Sequence, residues 1–476
     1  MTKKTCIAMF PSPGLSHLIP QVEFAKQFLQ QHNEFIVTFL ISTLTPLTPS
    51  MQQILNTLPP NIDFTILPQV KNPPQHTYDP ATKMKLLAKY SVPFLQEAIK
   101  SLISKTHLVA VISGVFSTDA HEVAKQFNLS SYLFYTSGAF AYSFFVTLPN
   151  LDDSVSSETE FLLESTYETV IVPGSTITLN IEDIPDIIKS ERSSIVYKSF
   201  LDVCKKFSLF DGVIINTFTD LEPEVIRALQ ENEKENKKPC IYPVGPIIRN
   251  ESNCEENISL MCLRWLENQQ PSSVLYVCFG SGGTVSHEQL NELAFGLELS
   301  GKKFLWVVRV PSKVVNSAYF VGEKDDPLEY LPNGFLERTK ENGLVVSTWA
   351  PQVEILGHGS IGGFLSHCGW SSILESVVNG VPMIVWPLFA EQKMNAKLLV
   401  DVLKVGVRVK VDDDDESGIV KREEVAKSVK RIMEGDESLE IRKRINELRV
   451  GACVATSEDG SSRKALSSLA LKLHSF

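Results

Sequence analysis

The sequence lacks several features that would place it in a common functional class. It has no run of about 18 uninterrupted apolar residues, the length that a membrane-spanning helix requires. None of its 8 cysteines forms a CxxC pair, and we interpret them as reduced thiols of a cytoplasmic protein. With 45 basic and 56 acidic residues, the net charge of −11 disfavours a nucleic-acid partner.

Two nucleotide-binding fingerprints are missing or misplaced. The turn at 280–284, GSGGT, lacks the Gly-Lys-Ser/Thr ending of a Walker loop, although its backbone could approach a phosphate or form a plain βα turn. Residues 357–362 satisfy GxGxxG, but they precede an apolar strand instead of following one. The sequence therefore disfavours an oxidoreductase with a dinucleotide cofactor.

What the sequence does contain is a repeated alternation of apolar strands and amphipathic helices, which predicts an α/β protein with parallel sheets. A first series has strands at 6–10, 35–41, 108–112, 132–135 and 212–215, with helices at 17–31, 120–127 and 223–233. A second has strands at 274–279, 304–309, 343–347, 363–366, 383–386 and 407–411, with helices at 288–299, 372–379, 392–402, 421–434, 438–455 and after Ser461.

Proline and polar residues between the two series mark a domain boundary, where the sequence reads KKPCIYPVGPIIRN and then ESNCEEN. We predict a first domain over 1–245, a linker over 246–256, a second domain over 257–455 and a C-terminal helix over 456–476. Each half opens with an apolar strand that runs into a Gly/Ser turn. Two Rossmann-like domains with a ligand cleft at the carboxyl ends of their strands are therefore expected.

The segment 349–392 holds the densest set of chemistry-bearing residues. His367 follows a strand, and Ser371 and Ser372 start a helix whose free N–H groups and positive dipole end suit a diphosphate. We expect the serines to cap this helix and to donate hydrogen bonds. Glu375 lies on the same helical face, where it could accept both hydroxyls of a ribose. The alternative is ordinary capping beside a structural histidine.

Other residues suit a sugar nucleotide, although each has a structural alternative. Trp349 lies between a strand and Pro351, so its indole could stack on a base or belong to the core. Glu391 and Gln392 suit neighbouring sugar hydroxyls, or open a helix. His17, in the first βα loop, could take a proton from an attacking hydroxyl, or have no role.

Together these residues resemble the family 1 UDP-glycosyltransferases, above all the plant enzymes that glucosylate phenols. The resemblance covers the whole chain and rests on FPSPG, HLIP, FSTDA, YPVGP, YVCFGS and WAPQVEILGHGSIGGFLSHCGWSSILESVVNGVPMIVWPLFAEQ. It implies a GT-B fold of two facing Rossmann-like domains with an interdomain cleft, and a C-terminal helix that packs back on the first. It also implies an enzyme that transfers a sugar from a UDP-sugar with inversion and without a metal. We expect no cofactor and a monomer.

The resemblance implies a role for each residue of the site. Trp349 and the backbone of Ala350 would bind uracil, and Gln352 with Glu375 would bind the ribose. The residues expected at the diphosphate are Ser281, His367, Ser371 and Ser372, and those expected at the sugar are Trp370, Glu391 and Gln392. Glutamine at 392 favours glucose, and His17 would be the general base.

Two residues depart from the family pattern. Ser371 stands where the family usually has Asn, and a hydroxyl can still donate to phosphate. Gly114 stands where the family has the Asp that orients the catalytic histidine, so the imidazolium loses a carboxylate. We expect Asp119, or a hydroxyl such as Ser113 or Ser117, to substitute, unless an acidic acceptor such as a phenol reacts without it.

The expected function is transfer of glucose to a small phenol, whether a phenylpropanoid, a stilbene, a flavonoid or a simple phenol, to give a β-O-glucoside. The acceptor pocket is expected mainly in the first domain, and its candidate residues, which could equally be core aromatics, are Phe116, Phe140, Phe144 and Phe389. The acidic run 412–416 matches the Asp-x-Asp pattern of metal-dependent glycosyltransferases, but we interpret it as a solvated loop. The alternatives are a catalytically impaired UDP-sugar-binding protein and a UDP-sugar epimerase on the same fold.

Overall fold

The computed structural model describes residues 3–43, 46–71, 79–155, 161–162, 169–236, 239–249, 256–316, 325–347, 349–412 and 417–474. The chain divides into two compact units: unit 1 is Met1–Arg249 with Ala452–Phe476, and unit 2 is Asn250–Gly451. Residues 413–416 of the acidic run and 250–255 of the predicted linker lie outside the described residues. Over the described ranges, no helix is both long and apolar enough to cross a membrane.

Unit 1 is built on a parallel sheet with helices packed against it. Its strands are β1 (Thr5–Phe10), β2 (Phe35–Ile41), β3 (Ile62–Ile66), β4 (His107–Gly114), β5 (Ser130–Tyr135), β6 (Thr169–Ile171), β7 (Thr178–Asn180), β8 (Gly212–Ile215) and β9 (Cys240–Pro243). Its first helices are α1 (Leu15–Gln31), α2 (Pro49–Asn56), α3 (Pro80–Tyr90), α4 (Val92–Lys105), α5 (Ala120–Gln126), α6 (Ala139–Ser154), α7 (Ile195–Lys206) and α8 (Pro223–Asn236). The sheet order is β3-β2-β1-β4-β5-β8-β9, while β6 and β7 form a separate antiparallel pair.

Unit 2 repeats this plan with six parallel strands. The strands are β10 (Val274–Cys278), β11 (Lys303–Val308), β12 (Gly343–Ser347), β13 (Ile361–Ser366), β14 (Met383–Val385) and β15 (Gly406–Arg408). The helices are α9 (Glu256–Glu267), α10 (His287–Ser300), α11 (Phe335–Thr339), α12 (Gln352–Leu356), α13 (Trp370–Asn379), α14 (Gln392–Lys397), α15 (Arg422–Met433) and α16 (Gly435–Thr456). The sheet order is β12-β11-β10-β13-β14-β15.

In both sheets the strand order reverses at the strand that comes first in the chain, which is β1 in unit 1 and β10 in unit 2. β1 pairs with β2 on one side and β4 on the other, and β10 pairs with β11 and β13 in the same way. At such a reversal the connections leave toward opposite faces, which opens a crevice at the carboxyl ends of the two central strands. We therefore expect ligand-binding groups in the loops after β1, β4, β10 and β13.

The last helix, α17 (Ser461–His474), belongs to unit 1. Leu466, Leu469 and Leu473 are fully buried in the same hydrophobic cluster as residues of β1, α1 and β2. The hydroxyl of Ser462 donates a hydrogen bond to the carbonyl of Gly245. The end of the chain is thus part of the core of unit 1.

The prediction of an α/β protein with two Rossmann-like, parallel-sheet units is confirmed. Some elements differ from their predicted extent. β4 runs on to Gly114, two residues beyond the predicted strand, and the helix predicted over 392–402 is α14 followed by a π-helical turn at Leu398–Val402. α6 was not predicted, because residues 139–145 are all buried and show no polar face with helical spacing.

Candidate functional site

His17 lies in the first turn of α1, directly after the loop that follows β1. Gly14, whose φ of 111° suits glycine, starts this turn, and its carbonyl accepts hydrogen bonds from the N–H groups of His17 and Leu18. The imidazole is half-buried, and its ring meets that of Phe116 edge-on, with 5.5 Å between centroids. The predicted base and one predicted pocket aromatic therefore lie side by side at the strand-order reversal of unit 1.

Burial sets the protonation state of His17. Loss of hydration lowers the pKa of its imidazole to about 4. Its Nδ1 is buried and has no hydrogen-bond partner among the described residues. The ring is therefore neutral at neutral pH and able to accept a proton, but no hydrogen bond from the described residues to Nδ1 fixes which nitrogen carries the hydrogen.

The surroundings of Gly114 explain why this position holds glycine. A Cβ built on Gly114 would lie 2.4 Å from the backbone nitrogen of Ser12 and 2.5 Å from its Oγ. Ser12 Oγ in turn accepts a hydrogen bond of 2.9 Å from the N–H of Phe116. The loop after β1 thus occupies the space beside β4, and a carboxylate-bearing side chain at 114 would require that loop to move.

Asp119 is engaged away from His17. One of its carboxylate oxygens lies 2.8 Å from Lys85 Nζ, and the other pairs with Lys206. Burial alone would raise the pKa of Asp119, but the two lysines hold it below its ordinary value. The described contacts therefore do not bring Asp119 to His17, because both carboxylate oxygens tie the start of α5 to α3 and α7.

The hydroxyls expected as substitutes do not contact His17 either. Ser117 Oγ donates a hydrogen bond of 3.1 Å to the carbonyl of Pro11. Ser113 Oγ is buried and has no hydrogen-bond partner within the described part of the chain. Neither serine therefore orients the imidazole in this structure.

The candidate pocket aromatics differ in burial. Phe140 and Phe144 are each 1% exposed and belong to the buried face of α6. Phe389 is a half-buried residue of unit 2. Among the three candidates in unit 1, Phe116 is half-buried, and its ring meets the imidazole of the proposed base.

In unit 2, His367 follows β13 and is enclosed by glycines. A Cβ at Gly280 would lie 2.4 Å from His367 Cε1, and one at Gly369 would lie 2.5 Å from its Nε2. Burial lowers the pKa of His367 to about 4, so the ring is neutral and can donate one hydrogen bond without adding a positive charge. Ser281, half-buried, lies in the same turn as Gly280.

The start of α13 leaves backbone donors without a side-chain cap. Gly369 is the N-cap residue, and no side chain caps the helix. The expectation that Ser371 and Ser372 act as caps is wrong, because both already lie inside the first helical turn, where a residue contributes an N–H group to be capped. Ser371 is exposed and Ser372 is buried. The absence of a side-chain cap and the helix dipole make this turn suitable for an anion.

Gln352, the first residue of α12, links residues predicted to bind ribose and diphosphate. Its Nε2 donates to Glu375 Oε2 at 2.6 Å and to Ser372 Oγ at 3.0 Å. The hydroxyl of Tyr276 donates to Gln352 Oε1 at 3.4 Å. The fold thus assembles three predicted residues, Gln352, Ser372 and Glu375, into one hydrogen-bonded set.

Trp349 lies just beyond β12 and presents its indole to solvent. It is 39% exposed, whereas Trp306 within β11 is 1% exposed. The guanidinium carbon of Arg309 lies 5.7 Å from the centroid of the Trp349 ring. Ala350 is buried beside it. An exposed indole ring suits the stacking of a planar base.

The predicted sugar-binding residues lie at the beginning of α13 and α14. Gln392 is buried, and its Oε1 accepts hydrogen bonds from the N–H groups of Leu388 and Phe389 at 2.9 and 3.0 Å. The loop therefore engages the amide oxygen, which leaves the NH₂ group as the remaining donor. Glu391 is the half-buried N-cap of α14, and Trp370 is buried.

Two residues that the sequence reasoning did not single out belong to these surroundings. Arg309 directly follows β11. A charged residue immediately after the apolar run FLWVV indicates a polar group at the carboxyl end of a strand, so it could have been identified from the sequence. Gln21 lies one turn after His17 on α1 and is fully buried. It could have been identified from the sequence as the single amide within the otherwise mostly apolar stretch LIPQVEFA.

Comparisons with known proteins agree with this geometry. The family model described as UDP-glucoronosyl and UDP-glucosyl transferase matches residues 196–440. A hydroquinone glucosyltransferase of Rauvolfia serpentina is 46% identical over 475 residues, which are 98% of this chain and 97% of the relative. UDP-glycosyltransferase 72B3 of Arabidopsis thaliana is 45% identical, with 98% of this chain and 95% of the relative covered.

Solved structures give the same result. UGT2 of Phytolacca americana, complexed with UDP-2fluoro-glucose and pterostilbene, has a TM-score of 0.88 and 41% identity and covers 99% of this chain and 100% of its own. An indoxyl-glucosylating UDP-glucosyltransferase of Polygonum tinctorium has a TM-score of 0.89 and 40% identity and covers 100% and 99%. The fold is therefore of the GT-B type, and the chain belongs to the plant family 1 UDP-glycosyltransferases.

Proposed function

We propose that this enzyme transfers glucose from UDP-glucose to the hydroxyl of a small phenol, with inversion and without a metal, to give a β-O-glucoside and UDP. The set formed by Gln352, Ser372 and Glu375 carries the proposal, because it joins a ribose-binding carboxylate to the first turn of α13. The names of two related proteins, hydroquinone glucosyltransferase and a UGT2 complexed with pterostilbene, support a phenolic acceptor.

In the proposed donor site, uracil stacks on Trp349 and is read by the backbone of Ala350. Glu375 and Gln352 hold the ribose. The residues assigned to the diphosphate are Ser281, His367, Ser371 and Ser372, and those assigned to the sugar are Trp370, Glu391 and Gln392. The NH₂ group of Gln392 donates to a sugar hydroxyl, because its amide oxygen is engaged by the loop after β14.

In the proposed reaction, His17 takes the proton of the phenol as the phenolic oxygen attacks the anomeric carbon. The bond between that carbon and the diphosphate oxygen breaks, and UDP leaves with the bonding electrons. Attack from the side opposite UDP converts the α-linked donor into a β-linked product. Neutral His367 and the uncapped N–H groups of α13 donate hydrogen bonds to the charge that develops on the diphosphate.

The weak basicity of His17 favours acidic acceptors. Its pKa is lowered to about 4 by burial, whereas a phenolic hydroxyl such as that of tyrosine has a pKa of about 10. Proton transfer to His17 from an aliphatic alcohol, which is far less acidic than a phenol, would be still more unfavourable than proton transfer from a phenol. We therefore assign phenols, rather than sugars or aliphatic alcohols, as the acceptor class.

Product analysis tests this function. The protein is incubated with UDP-glucose and hydroquinone in the presence of EDTA, and the products are identified by NMR. A β-glucoside is expected, and an α-glucoside would refute inversion. Activity that EDTA abolishes and Mg²⁺ or Mn²⁺ restores would refute the metal-free reaction.

Two further outcomes would refute glucosyl transfer itself. Isomerised UDP-sugar formed without an acceptor would identify an epimerase. Binding of UDP without turnover of any phenol in a broad panel would identify a UDP-sugar-binding protein.

A further inference from the structure

Gln21 holds a buried amide that the proposed mechanism leaves unused. The residue is 0% exposed, and neither its Nε2 nor its Oε1 has a hydrogen-bond partner among the described residues. A polar group that is buried without a hydrogen-bond partner destabilises the folded protein, a cost that an apolar side chain would avoid. A glutamine at this position therefore calls for a nearby polar partner.

A second unpaired group lies one turn earlier on the same helix. His17 precedes Gln21 by four residues within α1, so the two side chains share a helix face with Cβ atoms about 5–6 Å apart. His17 Nδ1 is buried and lacks a hydrogen-bond partner over the described ranges. An imidazole N–H donates readily to an amide oxygen, and the terminal torsion of glutamine is soft. The two groups are not paired as the structure stands, so a hydrogen bond between them requires Oε1 to turn toward Nδ1.

The amide of Gln21 lies beside Gly114, the position at which the family pattern has its carboxylate. A Cβ on Gly114 would lie 3.0 Å from Gln21 Nε2, so the end of the glutamine side chain reaches the carboxyl end of β4. The same Cβ would collide with Ser12, as described above. Gly114 and the amide of Gln21 are therefore neighbours in the structure.

We propose that Gln21 is a positioning residue that replaces the missing carboxylate. Its Oε1 accepts a hydrogen bond from Nδ1–H of His17, which fixes the tautomer whose lone pair is on Nε2. Nε2 is then the atom that takes the phenol proton, so this inference rests on the proposed role of His17 as the base. A neutral amide orients the ring but stabilises the imidazolium less than a carboxylate would, which suits an acidic acceptor.

The tautomer of His17 can be read directly and without turnover. The protein is labelled with ¹⁵N-histidine, and the signals of His17 are assigned by their loss in a His17→Ala variant. We expect Nδ1–H and an unprotonated Nε2 in the wild type at pH 7. Gln21→Leu and Gln21→Met, which remove the acceptor at similar volume, should give a mixed or reversed tautomer. Gln30→Leu makes the same change at an exposed position of α1 and is the matched control.

Kinetics provide a second readout that a purely structural role would not move. With hydroquinone as acceptor, Gln21→Leu should lower kcat about tenfold, as expected for one orienting hydrogen bond, and leave the KM for UDP-glucose unchanged. Gln21→Glu should restore a carboxylate and move the acid limb of kcat/KM to higher pH, because a negative charge stabilises the imidazolium. Gln30→Leu should change neither quantity.

Three results would overturn this inference: an Nε2–H tautomer in the wild type, an unchanged tautomer in both apolar variants, or an acid limb that Gln21→Glu does not move. The first needs no variant, so a variant that fails to fold does not weaken the test. Absence of glucosyl transfer by the wild type would instead refute the proposed function, and the tautomer would still be measured. The two failures are thus distinguishable.

Discussion

The burial of His17 predicts an unusual pH dependence for glucosyl transfer. Its pKa is lowered to about 4 by desolvation, so at pH 5 about 90% of the imidazole is still unprotonated and able to act as a base. A histidine with the ordinary pKa of about 6.5 would be only about 3% unprotonated at that pH. Lowering the pH from 7.5 to 5 should therefore reduce kcat/KM by about 10%, rather than about 30-fold.

The assay is the rate of UDP release with hydroquinone as the varied substrate at saturating UDP-glucose, between pH 4 and 8. The protein must stay folded throughout. Because the folded-state pKa of His17 lies below its unfolded value, the unfolded state binds more protons between about pH 6.5 and 4, and stability falls as the pH is lowered through that window. Circular dichroism at each pH provides this control.

An acid limb centred near pH 6.5 in a folded protein would refute the reasoning. It would mean that the ring of His17 is hydrated, or that an anion beside it offsets the cost of burial. A limb that persists unchanged in residual activity of His17→Ala would assign the titration to another group.

Three further predictions follow from individual contacts. Gly280→Ala would place a Cβ 2.4 Å from His367 and should lower kcat, whereas Gly301→Ala, which has a similar positive φ and nothing within 4 Å of the added Cβ, should retain kcat. Thermal denaturation should show a loss of about 1–2 kcal/mol for Gly301→Ala and a larger loss for Gly280→Ala, because its Cβ also meets His367. Equal kcat values would contradict the proposed role of His367. Glu375→Gln should raise the KM for UDP-glucose about tenfold to a hundredfold, because it weakens charge-assisted hydrogen bonds of about 1.5–3 kcal/mol. An unchanged KM in initial-rate measurements would show that Glu375 does not bind the ribose. Asp119→Asn should reduce the free energy of unfolding by about 2 kcal/mol, because Lys85 and Lys206 each lose one carboxylate partner and keep only their pairing with Asp202 and, for Lys206, Glu122. The pH profile of kcat/KM should stay in place, and a shifted profile would mean that the carboxylate of Asp119 acts on His17.

The fold class could be predicted because parallel strands that are covered by helices on both faces have sequences that are continuous apolar runs. Strands such as VLYVC in β10 and IGGFLS in β13 alternate with helices that carry a polar face. α6 escaped prediction for the opposite reason, since its buried first half has no polar stripe. Periodicity does not distinguish a fully buried helix from a buried strand, and the partly exposed helices α3, α4 and α7 were not predicted either.

Three residues proposed for the donor site could be grouped from the sequence because they are close in it. Ser372 and Glu375 share one helix face, and Gln352 joins them from the preceding helix. The partner of Asp119 could not be predicted, because Lys85 lies 34 residues away on a different helix and only packing brings them together. The crowding of Gly114 by Ser12, from a loop 102 residues earlier (114 − 12), is likewise set by the pairing of β1 with β4.

We propose His17 as the base of a glucosyl transfer and unit 2 as the part of the chain that binds UDP-glucose. Both assignments can be tested by the rate of UDP release from UDP-glucose with hydroquinone, compared between wild type and His17→Ala, with UDP binding measured by calorimetry. The His17→Ala variant should lose about 10²–10⁴-fold in kcat, the range of general base catalysis, while its affinity for UDP is unchanged. A variant that turns over at the wild-type rate would show that His17 is not the base.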